Sequence, residues 1–109
     1  MPRVDTRSLT DAVERLADRL RAAPQSALTR GAAADGLALA RELATLAQRL
    51  EFGAETAARR TLPDAGVFAV GDQLAVAGHD LVAALRAAPG EDAEPVLEEA
   101  LRAVETVRL

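Results

Sequence analysis

Residues 63–88 read PDAGVFAVGDQLAVAGHDLVAALRAA, and the reading of this stretch decides the fold. Val67, Gly71, Leu74, Gly78, Leu81 and Leu85 recur at alternating intervals of four and three, which puts them on one face of a helix. Val70 and Ala77 widen that face. An interior glycine costs about 1 kcal/mol of helix propensity relative to alanine. Gly71 and Gly78 on a packed face therefore predict that a second backbone comes close. Ala69, Val76 and Ala83 form another apolar ridge, seven residues apart and nearly opposite the first. Pro63 suits a first helical turn, and Pro89-Gly90 stops the helix, so the predicted span is 64–88.

Working outward, residues 25–51 predict a second long helix. Leu28, Ala32, Gly36, Leu39, Leu43, Leu46 and Leu50 repeat the same four-and-three spacing. It too carries a second ridge, Ala33, Leu37, Ala40 and Ala44. Residues 52–62, with Gly53 and several polar side chains, read as a mobile connecting loop. If that loop makes a hairpin, the long helices are antiparallel and facing positions sum to about 115, because both rise equally per residue. Gly36 then lies opposite Gly78, and Leu43 lies near Gly71 and Asp72.

Two shorter helices flank this pair. Residues 8–23 carry Leu9, Val13, Leu16 and Leu20 on one face, with Ser8 placed to cap and Pro24 to terminate. Residues 92–108 carry Leu97, Leu101 and Val104, with Asp92 placed to cap and Pro95 in the first turn. Acidic residues start that helix and arginines end it, matching the helix dipole. Residues 1–7 read as a flexible arm. The expected architecture is a single all-α domain over 1–109, an up-down four-helix bundle with two long central antiparallel helices. Strand patterns are absent from the sequence.

Composition narrows the function classes. The chain has 109 residues, a net charge of -4, no cysteine and 13 basic residues, all of them arginine. Disulfides and thiolate metal sites are excluded. The acidic balance argues against nucleic acid as a partner. No apolar run approaches the roughly 20 residues that span a bilayer, so no membrane association is expected and a cytoplasmic location is. The bias toward alanine and arginine fits a bacterial genome of high GC content.

Few side chains suggest chemistry. His79 stands beside Asp80 and near Asp72 in sequence, and the hairpin register brings Asp35 toward it. That grouping suits a general base or a weak metal ligand, but one histidine without cysteine rarely builds a metal site. Glu91, Asp92, Glu94, Glu98 and Glu99 crowd one helix start rather than two facing helices, which suits a solvated helix end better than a magnesium site. No catalytic residue, cofactor or metal is expected.

The run LADRLRAAPQSALTR, residues 16–30, resembles the helix-turn-helix of bacterial regulators at Ala17, Leu20, Ser26, Ala27, Leu28, Thr29 and Arg30. It lacks the turn glycine, is one residue longer, and meets Gly31 where a recognition helix continues. That resemblance implies a DNA-binding regulator as the alternative function. In size and hairpin pattern the chain also resembles the small helical proteins of type VII secretion. It lacks their Trp-x-Gly turn, having Glu51-Phe52-Gly53 there, and has no tryptophan or tyrosine.

A helix that is apolar on two sides is usually covered on two sides. The sequence therefore predicts a non-enzymatic protein–protein interaction module acting as a homodimer. Leu37, Ala44, Phe68, Ala69, Val76 and Ala83 are the expected interface residues, and Gly36, Gly71 and Gly78 mark the expected close helix crossing.

Overall fold

The computed structural model describes residues 4–53 and 62–109. The chain is an all-α four-helix bundle, with no strand among the described residues. Its helices are α1 (Arg7–Ala22), a short α2 (Gln25–Ala27), α3 (Ala33–Phe52), α4 (Val70–Ala87) and α5 (Gly90–Thr106). A π-helical segment, Leu28–Ala32, joins α2 to α3. The parts of the expected arm at residues 1–3 and of the expected mobile loop at 54–61 lie outside the described residues.

Local chemistry sets the helix limits, and several differ from the sequence reading. The helix expected over 25–51 is interrupted at Gly31, whose φ of 149° is a conformation that side chains with a Cβ avoid. The helix expected from 64 begins only at Val70. Asp64 Oδ1 accepts the Gly66 N–H at 2.9 Å, and Gly66 takes a φ of 95°, so Pro63 leads into a turn rather than a first helical turn. α1 begins at Arg7, ahead of Ser8, where Asp5 Oδ1 accepts the Arg7 N–H at 3.0 Å. α5 begins at Gly90, and the Pro89 carbonyl, rather than the Asp92 side chain, receives the first N–H groups.

The direction of the two long helices is the main correction to the predicted architecture. They form the largest helix–helix contact, but they run parallel. A Cβ on Gly36 meets Val70, at the start of α4, at 2.8 Å. At the other end, Leu50 and Glu51 line one crevice with Ala83, Ala84, Ala87 and Ala88. N-terminus lies by N-terminus and C-terminus by C-terminus, so the sum-to-115 register does not hold. Parallel neighbours need a crossover connection rather than a hairpin. Its described part, residues 62–69, lies along α3. Arg41 Nε donates to the Leu62 carbonyl at 2.9 Å, and Leu62 and Val67 pack onto the core. α1 and α5 are both antiparallel to the long pair, giving an up-down-down-up order. Arg21 reaches Asp72, Val13 meets Gly78, and Arg49 pairs with Glu99 at 3.5 Å.

The close crossing exists, but between α1 and α4. A Cβ on Gly78 would lie 2.5 Å from Val13 Cγ1, and one on Gly71 would lie 3.0 Å from the Ala17 carbonyl oxygen. Gly36 does not face Gly78; its open side holds Leu20 and Val70. All three glycines thus admit α1, which lies in the groove they leave and buries Leu9, Val13, Leu16, Ala17 and Leu20. α4 is central because it is apolar toward both α1 and α3. The core it completes includes Leu39, Leu43, Leu46, Leu74, Leu81 and Leu85, each below 2% exposed and each worth roughly 1.5–3 kcal/mol of burial. α5 docks through Ala93, Ala100, Ala103 and Val104, leaving Leu97 and Leu101 only half-buried.

Candidate interaction surface

The constellation around His79 does not assemble. His79 Nε2 is 3.9 Å from Glu14 Oε1, beyond hydrogen-bond range, and both side chains are more than half exposed. Asp72 is engaged elsewhere, 2.8 Å from Arg21 Nη2 across the α1–α4 contact. Asp35 lies on a different side of the bundle, in a groove with Leu39, Glu42, Ala103 and Arg108. Among the described residues, no three histidine, aspartate or glutamate side chains gather as metal ligands do. In the acidic cluster, Glu99 pairs with Arg49, while Glu91, Asp92, Glu94 and Glu98 are solvated at the start of α5.

Perturbed charges are structural pairs at the surface. Hydrogen bonds from the Arg7 side chain and backbone hold the Asp5 carboxyl down at about 2, and clip the entry to α1. Hydrogen bonding to Asp72 raises the Arg21 guanidinium above its ordinary value. Neither pair encloses a cavity where a reacting group would sit.

The helix-turn-helix resemblance gains little from the geometry. α1 ends at Ala22, Ala23 and Pro24 are extended, and the following α2 has 3 residues before the π-helical segment and its Gly31 break. The Thr29 hydroxyl is turned back onto the Gln25 and Ser26 carbonyls.

The expected interface residues separate into two groups. Leu37 is 8% exposed and belongs to the core, packed where α3 meets Val67 and Val70. Ala33 and Ala40 of the same ridge are buried and Ala44 is half-buried, because α4 and the described part of the crossover cover that side of α3. The ridge on α4 and the turn before it stays open. Phe68 is 70% and Val76 58% exposed; Ala83 is exposed and Ala69 half-buried.

Two further features escape the sequence reading. Phe52, at the end of α3, is 64% exposed, although its position before Gly53 suggested only a loop. Beside Ala83 lies a crevice of about 360 Å³ walled by Leu50, Ala84, Ala87, Ala88 and Pro89, with Glu51 and Asp92 at its rim. Ala83-Ala84 and Ala87-Ala88, two pairs one turn apart, are the signal that marks it: small side chains on adjacent turns leave a hollow between neighbouring helices. A cavity of about 250 Å³ at the opposite end lies among Leu28, Ala33, Leu37, Val67 and Val70. The outer side of α4 thus carries an exposed valine, the turn before it an exposed phenylalanine, and its C-terminal end a hollow shared with α3. No family model, no curated protein and no solved structure matches this chain.

Proposed function

We propose that this chain is a small bacterial helical module that works in the cytoplasm by protein–protein contact, as a homodimer, and catalyses no reaction. The observation that carries this reading is the pair of large apolar side chains left open on α4 and the turn before it, Val76 at 58% and Phe68 at 70% exposure. Single exposed apolar residues are common on monomers. Here Val76 and Ala83 lie seven apart on the open side of α4, the spacing of a helix–helix seam, and Ala69 and Phe68 sit in the turn just before that helix.

Sedimentation velocity over a concentration series tests the proposal. The parent chain is expected to move from monomer to dimer as concentration rises. Val76→Glu and Phe68→Glu are expected to hold it monomeric while leaving the thermal midpoint nearly unchanged, since surface substitutions usually change stability by less than about 0.5 kcal/mol. A parent chain that stays monomeric throughout the series contradicts the proposal.

A further inference from the structure

We infer that residues 62–69 form a strap that opens as a unit from an otherwise intact bundle, and that Arg41 and Gln73 are its latch. The strap leads into α4 and carries Phe68 on its outer side. Its opening uncovers the apolar start of α3 around Ala33 and Leu37.

The strap is sparsely attached. Pro63, Asp64, Ala65 and Gly66 are exposed, and Leu62 and Val67 are its side chains that pack, partly buried, against the core. Even Val67 is incompletely surrounded, because a cavity of about 250 Å³ lies among Val67, Val70, Leu28, Ala33 and Leu37. A gap beside a side chain forfeits the dispersion contacts that neighbours would supply. Polar attachment is concentrated on two successive carbonyls. Arg41 Nε, on α3, donates to the Leu62 carbonyl at 2.9 Å, and Gln73 Nε2, on α4, donates to the Pro63 carbonyl at 2.8 Å. Other bonds are internal and can travel with the strap. Asp64 Oδ1 accepts the Gly66 N–H, and the Gly66 carbonyl accepts the Ala69 N–H. The Gln73 N–H donates to the Ala69 carbonyl, which puts the hinge where α4 begins.

The latch holds against a standing cost. Gln73 Oε1 is buried and has no hydrogen-bond partner among the described residues. A buried oxygen left unpaired offsets much of what the amide gains through its N–H. Opening relieves that cost, because the side chain then reaches water. The rest of the bundle keeps its own core when the strap leaves. Leu43, Leu46, Leu74 and Leu81 are fully buried and lie outside the cavity under the strap. Segments with few buried apolar contacts open well below the free energy of global unfolding.

Hydrogen exchange on the full chain tests the strap. The Ala69 amide reports its opening and the Leu81 amide reports the bundle. Ala69 is expected to be protected, yet to exchange at least about a hundredfold faster than Leu81 and to ignore low urea, which speeds Leu81. Val13→Ala, in the α1–α4 contact, is expected to speed Leu81 at least about tenfold and leave Ala69 unchanged, since that contact survives strap opening. Arg41→Met keeps the apolar stem but removes the donor, and is expected to speed Ala69 about tenfold. Gln73→Met removes the donor together with the unpartnered oxygen, and is expected to speed Ala69 by a smaller factor. An Ala69 amide that follows Leu81 in urea or in Val13→Ala opens only with the whole bundle and overturns the strap. An unprotected Ala69, or one unchanged in Arg41→Met, overturns the latch, as does a larger factor in Gln73→Met than in Arg41→Met.

Discussion

Gly78→Leu is expected to abolish cooperative folding, and Gly78→Ala to weaken it measurably. A Cβ at Gly78 falls 2.5 Å from Val13 Cγ1 and 3.2 Å from Val13 Cβ and Cγ2. Val13 is 1% exposed, and its branched side chain is stiff at χ1, so it has no open space to rotate into. Overpacking of this kind typically costs about 1–3 kcal/mol. For alanine, about 1 kcal/mol of that is offset by better helix propensity. Leucine adds three further carbons along the same line, and the penalty then competes with the roughly 5–15 kcal/mol that holds a domain together.

The cause is separable from a generic loss of glycine. Val13→Ala alone removes two methyl groups from the core and is expected to cost about 2 kcal/mol. In Val13→Ala/Gly78→Ala the new methyl occupies the space just vacated, so the double variant should be more stable than the sum of the two losses predicts. Urea unfolding of the four proteins reads this coupling directly. Strict additivity would mean that α1 does not rest on α4 at this point.

Leu37→Glu is expected to be the second severe substitution. Sequence periodicity placed Leu37 with Val76 as surfaces for another copy, and the two should now behave in opposite ways. Leu37 lies 8% exposed among Ala33, Val67 and Val70. Replacing it removes roughly 1.5–3 kcal/mol of burial. It also places a carboxylate in an apolar pocket with no cation among the lining residues. An unpaired buried charge either carries a further cost of several kcal/mol or takes up a proton to escape it. Loss of most of the stability is expected for Leu37→Glu, against almost none for Val76→Glu. Equal urea midpoints for the two variants would contradict the placement of Leu37 inside the chain.

The contrast between these residues explains what could be read from the sequence. The helices themselves were legible, because stripes such as Leu9, Val13, Leu16 and Leu20 admit no other reading. So was the importance of Gly71 and Gly78. What local spacing does not carry is which neighbour fills which face. α4 is apolar over a wide arc, and the sequence alone matched Gly78 to Gly36 when its occupant is Val13. The direction of α3 against α4 depends on whether the connection between them turns back at once or crosses over, and its length permits both. Gly31 has no neighbours that distinguish a helix break from a tolerated glycine, whereas Asp64-Ala65-Gly66 was a turn signal outweighed by Pro63. The open ridge on α4 was legible for the same reason as the core stripes. Its buried counterpart on α3 was not, because the cover comes from the described part of the crossover at Leu62 and Val67 and from α4 itself.

The proposed surface depends on α4 lying parallel to α3 with its Val76 side outward, and one distance measures that. Spin labels on Glu51→Cys and Ala87→Cys, both exposed and each at the C-terminal end of its helix, report the separation of those ends by pulsed electron resonance. Dilution with unlabelled chain removes contributions between copies. Packed parallel helices predict a separation of about 20 Å or less, labels included. An antiparallel hairpin would place the two positions about 35 Å apart, and a distribution centred there would contradict the arrangement.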